Sequence, residues 1–178
     1  MAEGLMTTEI TIRPFSDRDA AQVRELFITV NRLLSAPHLR DAFEAYIERA
    51  LVEEIDRIPA YYREHAGSFW VAVKDNKVVG TFGLEGTSDG AMELRRMYVD
   101  PSARRQGIAR QMLQSAEDGC RRQGIFRLVL STSEIQVAAL ALYKQAGYSL
   151  LREEIADAVS NKTIGSGICR YYFEKVLG

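Results

Sequence analysis

Residues 92 to 124 restrict most what this chain can fold into. An extended run, MELRRMYV, stops at Asp100-Pro101, and after SARRQG a helical repeat begins. Met92 to Val99 is rich in residues that favour strands. Ile108, Met112, Leu113, Ala116 and Cys120 recur at helical spacing over residues 104 to 123, and Gly124 stops the repeat. A strand that feeds straight into an amphipathic helix must lay that helix back on its own sheet, so the chain is expected to be an α/β protein. The helix start is odd. No Ser, Thr, Asp or Asn stands on its threshold, and Gly107 falls in its expected first turn, where glycine costs roughly 1 kcal/mol relative to alanine. A bound phosphate would account for both features. Unpaired backbone N–H groups carry partial positive charge, Gly107 and Ala109 let an anion approach, and Arg104, Arg105 and Arg110 add ionic contacts. The plainer alternative is a solvated basic turn whose glycine serves packing.

The remaining segments frame this unit. Ile10 to Arg13 alternates as a short strand ending at Pro14, and Ser16 or Asp17 caps a helix from about 17 to 34. A second helix is expected over 39 to 57, stopped by Pro59, with a connection through Tyr61, Tyr62 and His65. Residues 69 to 73 and 77 to 84 flank Asp75-Asn76 as a hairpin, and with residues 92 to 99 they give three antiparallel strands in succession. Phe126 to Leu130 reads as a strand covered on both sides. A helix over 135 to 146 and strands at 148 to 151 and 169 to 176 follow, with a long polar loop from Glu153 to Gly167. The expected architecture is a mixed α/β (α+β) sheet of six to seven strands flanked by about four helices. Residues 1–7 are expected as a flexible tail and residues 8–178 as one domain.

Composition narrows the function. A net charge of -1 gives no general attraction to nucleic acid or anionic membranes. Cys120 and Cys169 stand far apart, and His38 and His65 stand alone, so no metal site is expected. The chain has no apolar run of the roughly 18 residues that a membrane span needs, and a cytoplasmic protein is expected.

Two motifs carry a resemblance. Arg104-x-x-Gly107-x-Ala109 resembles the Q/R-x-x-G-x-G/A pyrophosphate loop of the GCN5-related N-acetyltransferases. Ala138 to Tyr148, AALALYKQAGY, resembles that family's N-x-x-A-x-x-L-Y-x-x-x-G-F signature, with Gln136 in place of the usual asparagine and Tyr148 in place of the usual phenylalanine. The order of elements matches the family over nearly the whole chain. The resemblance implies an acetyl-CoA-dependent N-acetyltransferase that uses acetyl-CoA as cosubstrate. Met97, Tyr98 and Val99 would pair with the pantetheine arm. Arg104, Arg105, Gln106, Gly107, Ile108, Ala109 and Arg110 would hold the pyrophosphate, and Gln136, Ala139 and Tyr143 complete the cofactor wall. Tyr143 stands where the family keeps the general acid that protonates the thiolate. Glu93, eleven residues before Arg104, stands at the spacing of the base in the histone acetyltransferase branch. Strict alternation would put Glu93, Arg95, Met97 and Val99 on one face, with Glu93 beside the acyl arm or else paired with Arg95 or Arg96. Glu85 and a relayed water are the other base candidates. Backbone N–H groups near Val99, where the central strands splay, are expected to hold the oxyanion.

The acceptor is open. The run LSTSEIQVAALALYKQAGY is similar to a branch that acetylates free amino acids and cysteine conjugates, which implies a small amino-acid-like amine attacked in a ternary complex. The alternatives are a protein lysine or N-terminal acetyltransferase, and a non-catalytic acetyl-CoA binding module. A homodimer through an edge at Cys169 to Val176 is a further expectation.

Overall fold

The computed structural model describes residues 9–178; the expected tail at residues 1–7 lies outside them. In chain order the elements are β1 (Thr11–Pro14), α1 (Ala20–Leu34), α2 (Arg40–Glu53), α3 (Ile58–Glu64), β2 (Ser68–Lys74), β3 (Lys77–Gly86) and β4 (Met92–Val99). They continue as α4 (Ile108–Arg122), β5 (Arg127–Ser133), α5 (Val137–Gln145), β6 (Ser149–Ala156) and β7 (Ile168–Val176). The strands form one sheet in the order β1-β2-β3-β4-β5-β7-β6. Only β4 and β5 run parallel. Asp75 and Asn76 both adopt positive φ, which gives the β2–β3 hairpin the twist its tight turn needs.

Each face of the sheet has its own core. On one side, Ile108, Met112 and Leu113 of α4 pack on Met92, Leu94, Leu128 and Leu130, and Tyr143, Tyr148 and Phe173 extend this layer. On the other, α1 and α3 cover β2 and β3 through Val23, Leu26, Val30, Tyr62, Phe69 and Val71. Phe27, Phe43, Tyr46 and Ile47 join α1 to α2.

Several expected boundaries shift, each for a physical reason. Pro59 does not stop a helix; it sits in the first turn of α3, where its missing N–H has no partner to lose. The break comes earlier, at Glu54, whose backbone leaves helical geometry. Tyr61 and Tyr62 therefore lie on a helix. The strand β6 runs on to Ala156, so the polar loop spans only residues 157 to 167. The strand β7 is paired on both sides, with β5 and β6, and the sheet edge there is β6. The expected dimer edge at Cys169 to Val176 is thus an inner strand. Finally, β5 is not covered on both sides. Leu128 and Leu130 are buried, while Val129 and Ser131 face a trough on the other side. Helices α1 and α3 cover the other end of that face, over β2 and β3, and leave Val129 and Ser131 of β5 facing the trough.

Candidate active site

The site begins where β4 and β5 part. Their parallel pairing joins only Met92 to Leu128, Glu93 to Val129 and Leu94 to Leu130, although both strands continue beyond. The backbone edge of β4 that faces β5 is therefore free of strand partners from Arg95 on. The opening lies several residues before Val99, the position expected from the sequence. It leads into a cavity walled by Met97, Tyr98, Ser131, Thr132, Ser133, Gln136, Ala139 and Tyr143.

A bulge also changes which side chains share a face. Gly83 pairs with Arg95 and Thr81 with Tyr98, so Arg96 and Met97 together oppose Phe82. Arg96 has φ of 54°, and its carbonyl accepts the Thr81 hydroxyl at 2.8 Å. Strict alternation ends there. Glu93 and Arg95 share one face, Arg96 joins them, and Met97 and Val99 pack on the α4 side. The single face expected for Glu93, Arg95, Met97 and Val99 does not form.

Below the bulge lies a buried network. Glu54, fully buried in the break after α2, accepts Nε of Arg96 at 2.9 Å and pairs with Nη2 of Arg95 at 2.9 Å. Tyr62 donates to Glu54 at 2.9 Å. Arg95 reaches Glu85 at 2.5 Å and donates to Tyr61, which itself bonds Glu85 at 3.2 Å. Arg96 donates to Tyr46 and, at 2.5 Å, to the carbonyl of Asn161 in the 157 to 167 loop. Burial alone would raise the Glu54 carboxyl, but the charges and hydrogen bonds of Arg96 and Arg95 outweigh it and hold it below the usual range. Burial pushes the Tyr46 phenol up to about 12. Sequence reading missed Glu54. A lone carboxylate at the end of a helix carries no local signal of a partner about forty residues away.

Glu93 stands outside this network. It lines the cavity and the adjoining trough, and its partner is Lys162, at 2.9 Å, rather than Arg95 or Arg96. Glu85, the other carboxylate candidate, is held by Arg95 and does not line the cavity. Tyr143 projects from α5, 5% exposed, with its ring 5.8 Å from that of Tyr148 and 6.3 Å from that of Phe173. Its hydroxyl has no hydrogen-bond partner among the described residues, and burial raises its pKa well above that of an ordinary phenol. Gln136 takes up the turn before α5: its side-chain oxygen accepts the Thr132 hydroxyl at 2.6 Å. Ala139 forms cavity wall beside it.

At the far end of β4, the α4 helix starts later than its periodicity predicts. Gly107 is its N-cap, with φ of 75°, rather than a first-turn residue. Glycine is favoured there by backbone hand, and a Cβ at that point would meet nothing within 4 Å. Arg105 is also left-handed, at 63°. Such reversals of hand turn successive N–H groups toward a common point, the geometry of an anion seat. Arg104, Arg105 and Arg110 are exposed and make no ion pair among the described residues. Gln106 accepts from Lys74 at 2.9 Å. Ile108 is buried in the core, so only its backbone faces the loop. Val99 pairs with Gly80 and stays out of the cavity. The loop, the open edge of β4 and the cavity thus offer a candidate anion seat, an extended backbone edge and a pocket whose phenol has no hydrogen-bond partner among the described residues.

Comparisons with known proteins bear on the family and the fold. The model of the acetyltransferase (GNAT) family matches residues 33–148. N-acetylaspartate synthetase of Xenopus tropicalis is 36% identical over 105 residues, 58% of this chain and 39% of that protein. Human N-acetyltransferase 8 is 34% identical over 109 residues, 58% of this chain and 48% of its own length. The chain therefore aligns with about two fifths to one half of these relatives. Among solved structures, YncA of Salmonella typhimurium with its cofactor acetyl-CoA superposes with a TM-score of 0.73 at 18% identity, over 96% of this chain and 95% of its own. The PaiA N-acetyltransferase of Thermoplasma acidophilum in complex with coenzyme A gives 0.72 at 19%, over 94% and 99%. At such identities the likeness is one of fold.

Proposed function

The chain belongs to the acetyltransferase (GNAT) family, the match spanning more than half of its length, and from that premise we propose that it transfers the acetyl group of acetyl-CoA to the amine of a small amino-acid-like molecule by direct attack in a ternary complex. One observation carries the catalytic reading. The hydroxyl of Tyr143 sits in the cavity wall beside the parted strands with no partner of its own. The residues fit the cosubstrate: a Cβ at the left-handed Gly107 cap would meet nothing within 4 Å, and Arg104, Arg105 and Arg110, exposed and without ion-pair partners among the described residues, belong to the same loop and first helical turn.

Acetyl-CoA, when bound, supplies the activated acetyl thioester. The free edge of β4 from Arg95 to Tyr98 receives an extended arm by backbone pairing. N–H groups on the same edge stabilise negative charge developing on the carbonyl oxygen. Glu93, oriented by Lys162, takes the amine proton directly or through a water. Tyr143, protonated at neutral pH as any phenol is, gives a proton to the departing sulfur. The amino-acid-like acceptor is supported by the relatives named N-acetylaspartate synthetase and by a trough that mixes Arg, Lys and Glu with apolar wall.

Titration with acetyl-CoA, using dephosphorylated pantetheine derivatives as control, tests the seat. Turnover of Tyr143→Phe tests the acid: kcat is expected to fall roughly 100- to 10,000-fold while acetyl-CoA affinity changes less than about twofold. Unchanged turnover would remove Tyr143 from the mechanism.

A further inference from the structure

Charge around the inner cavity does not cancel. Arg95 and Arg96 are matched by Glu54 and Glu85. Lys162 is matched by Glu93. Arg170, on β7, lines the cavity and the outer trough and has no carboxylate partner among the described residues. Its cross-strand neighbour Glu154 is held by Arg152 at 2.8 Å. What fixes the guanidinium is a neutral group: Nη2 donates to the hydroxyl of Ser131 at 2.8 Å. Ser131 lies on β5 just past the point where the strands part, and it too lines both spaces. Asp157, also without an ion-pair partner among the described residues, lies exposed on the outer trough and does not line the inner cavity.

We infer that Arg170 is the seat for the α-carboxylate of the acceptor, so that the substrate class is free α-amino acids rather than simple amines or peptide lysines; this rests on the acetyl-transfer reading above. An acceptor amine arrives as an ammonium ion. A cavity carrying surplus positive charge repels it unless the same molecule brings a negative group. The planar guanidinium keeps four of its five N–H donors after the bond to Ser131, and its fork matches a carboxylate in two-point geometry. Ser131 holds the fork at the junction of cavity and trough. An amino acid bound there by its carboxylate enters beside Glu93, the proposed base. The short distance between α-amine and α-carboxylate makes the two requirements compatible in one small molecule and not in a lysine side chain of a protein.

The test compares matched acceptors on wild type and variants: L-aspartate with β-alanine, L-phenylalanine with phenethylamine, and S-benzyl-L-cysteine with 2-(benzylthio)ethylamine. Each second member lacks only the α-carboxyl group. Wild type is expected to prefer amino acids. In Arg170→Gln the ratio of kcat/KM for amino acid over amine is expected to fall about 10- to 100-fold, mainly through KM, because a charge-assisted two-point contact is lost. Ser131→Ala, which frees the guanidinium without removing its charge, is expected to lower the same ratio about threefold to tenfold. Acetyl-CoA affinity reports that each variant is folded. A wild type without preference, or a ratio unmoved in both variants, overturns the carboxylate seat and leaves acetyl transfer standing. A wild type that acetylates peptides and none of these amino acids overturns the small-acceptor reading, and the seat falls with it.

Discussion

Two Arg-Arg pairs nine residues apart have opposite fates. Arg95-Arg96 lies in β4, 7% exposed at each residue, and is bound by Glu54, Glu85 and two tyrosines, Tyr61 and Tyr46. Arg104-Arg105 stands in the loop before α4, exposed and without an ion-pair partner among the described residues. The first pair is structural. It anchors the bulge that opens the cavity and, through Asn161, ties the 157 to 167 loop to it. The second pair leaves its charge open to water or to a ligand. Identical side chains thus take two roles, one pair locked inside the fold and the other, in the proposed reading, available to the cosubstrate, and burial decides which.

The sharpest way to break this contrast is at Glu54. Glu54→Ala strands two buried guanidinium groups, and removing one partner from a buried pair costs about 3 to 5 kcal/mol. Thermal melting should fall by roughly 10 °C or more, at about 2 to 4 °C per kcal/mol for a chain of this size. The same carboxylate gives the fold a dependence on pH. Its folded pKa lies below the usual value, so its contribution is complete above the ordinary carboxylate range and is lost as pH falls through the lowered value. Acid unfolding of Glu54→Gln, followed by circular dichroism, should show a shallower dependence on pH; an identical profile would exclude Glu54 as a contributor.

Gly107→Glu strikes the other pair's ligand. The side chain projects a like charge into the open space above the cap, and acetyl-CoA affinity should weaken by about 100-fold or more in calorimetric titration. A glutamate at positive φ costs about 1 to 2 kcal/mol, so melting should drop only a few degrees. Normal affinity would show that the loop holds no pyrophosphate. The smallest effect is expected from Arg104→Ala combined with Arg105→Ala: acetyl-CoA affinity falls roughly tenfold at low salt and less at high salt, because exposed charges are screened. Melting should stay within about 1 °C, as surface substitutions generally do. A large drop in melting would erase the distinction between the pairs.

The site was legible in unequal parts. The RRQGIA loop could be read because strand, turn and helix start are contiguous, and only Gly107's position shifted, from first turn to cap. Tyr143 could be read because its motif lies on one helix. The proposed base was less accessible. Glu93 was found by spacing, but its partner Lys162 comes from a loop that local patterns leave without a position. The alternation that grouped it with Met97 and Val99 failed at a bulge, since one left-handed residue, Arg96, reverses every later side chain.

The sequence by itself determined the order of elements, the helix faces and the local strand-loop-helix unit proposed as an anion seat, because periodicity of 2 or 3.6 residues and backbone hand act between near neighbours. Tertiary structure alone decided which arginines are buried, that β5 keeps one face open, that β7 lies inside the sheet, and that Arg170 meets Ser131 with no carboxylate partner among the described residues. Those outcomes depend on desolvation and on pairing between residues tens of positions apart. A charge acquires its role only when the fold settles whether a partner, water or a ligand will face it.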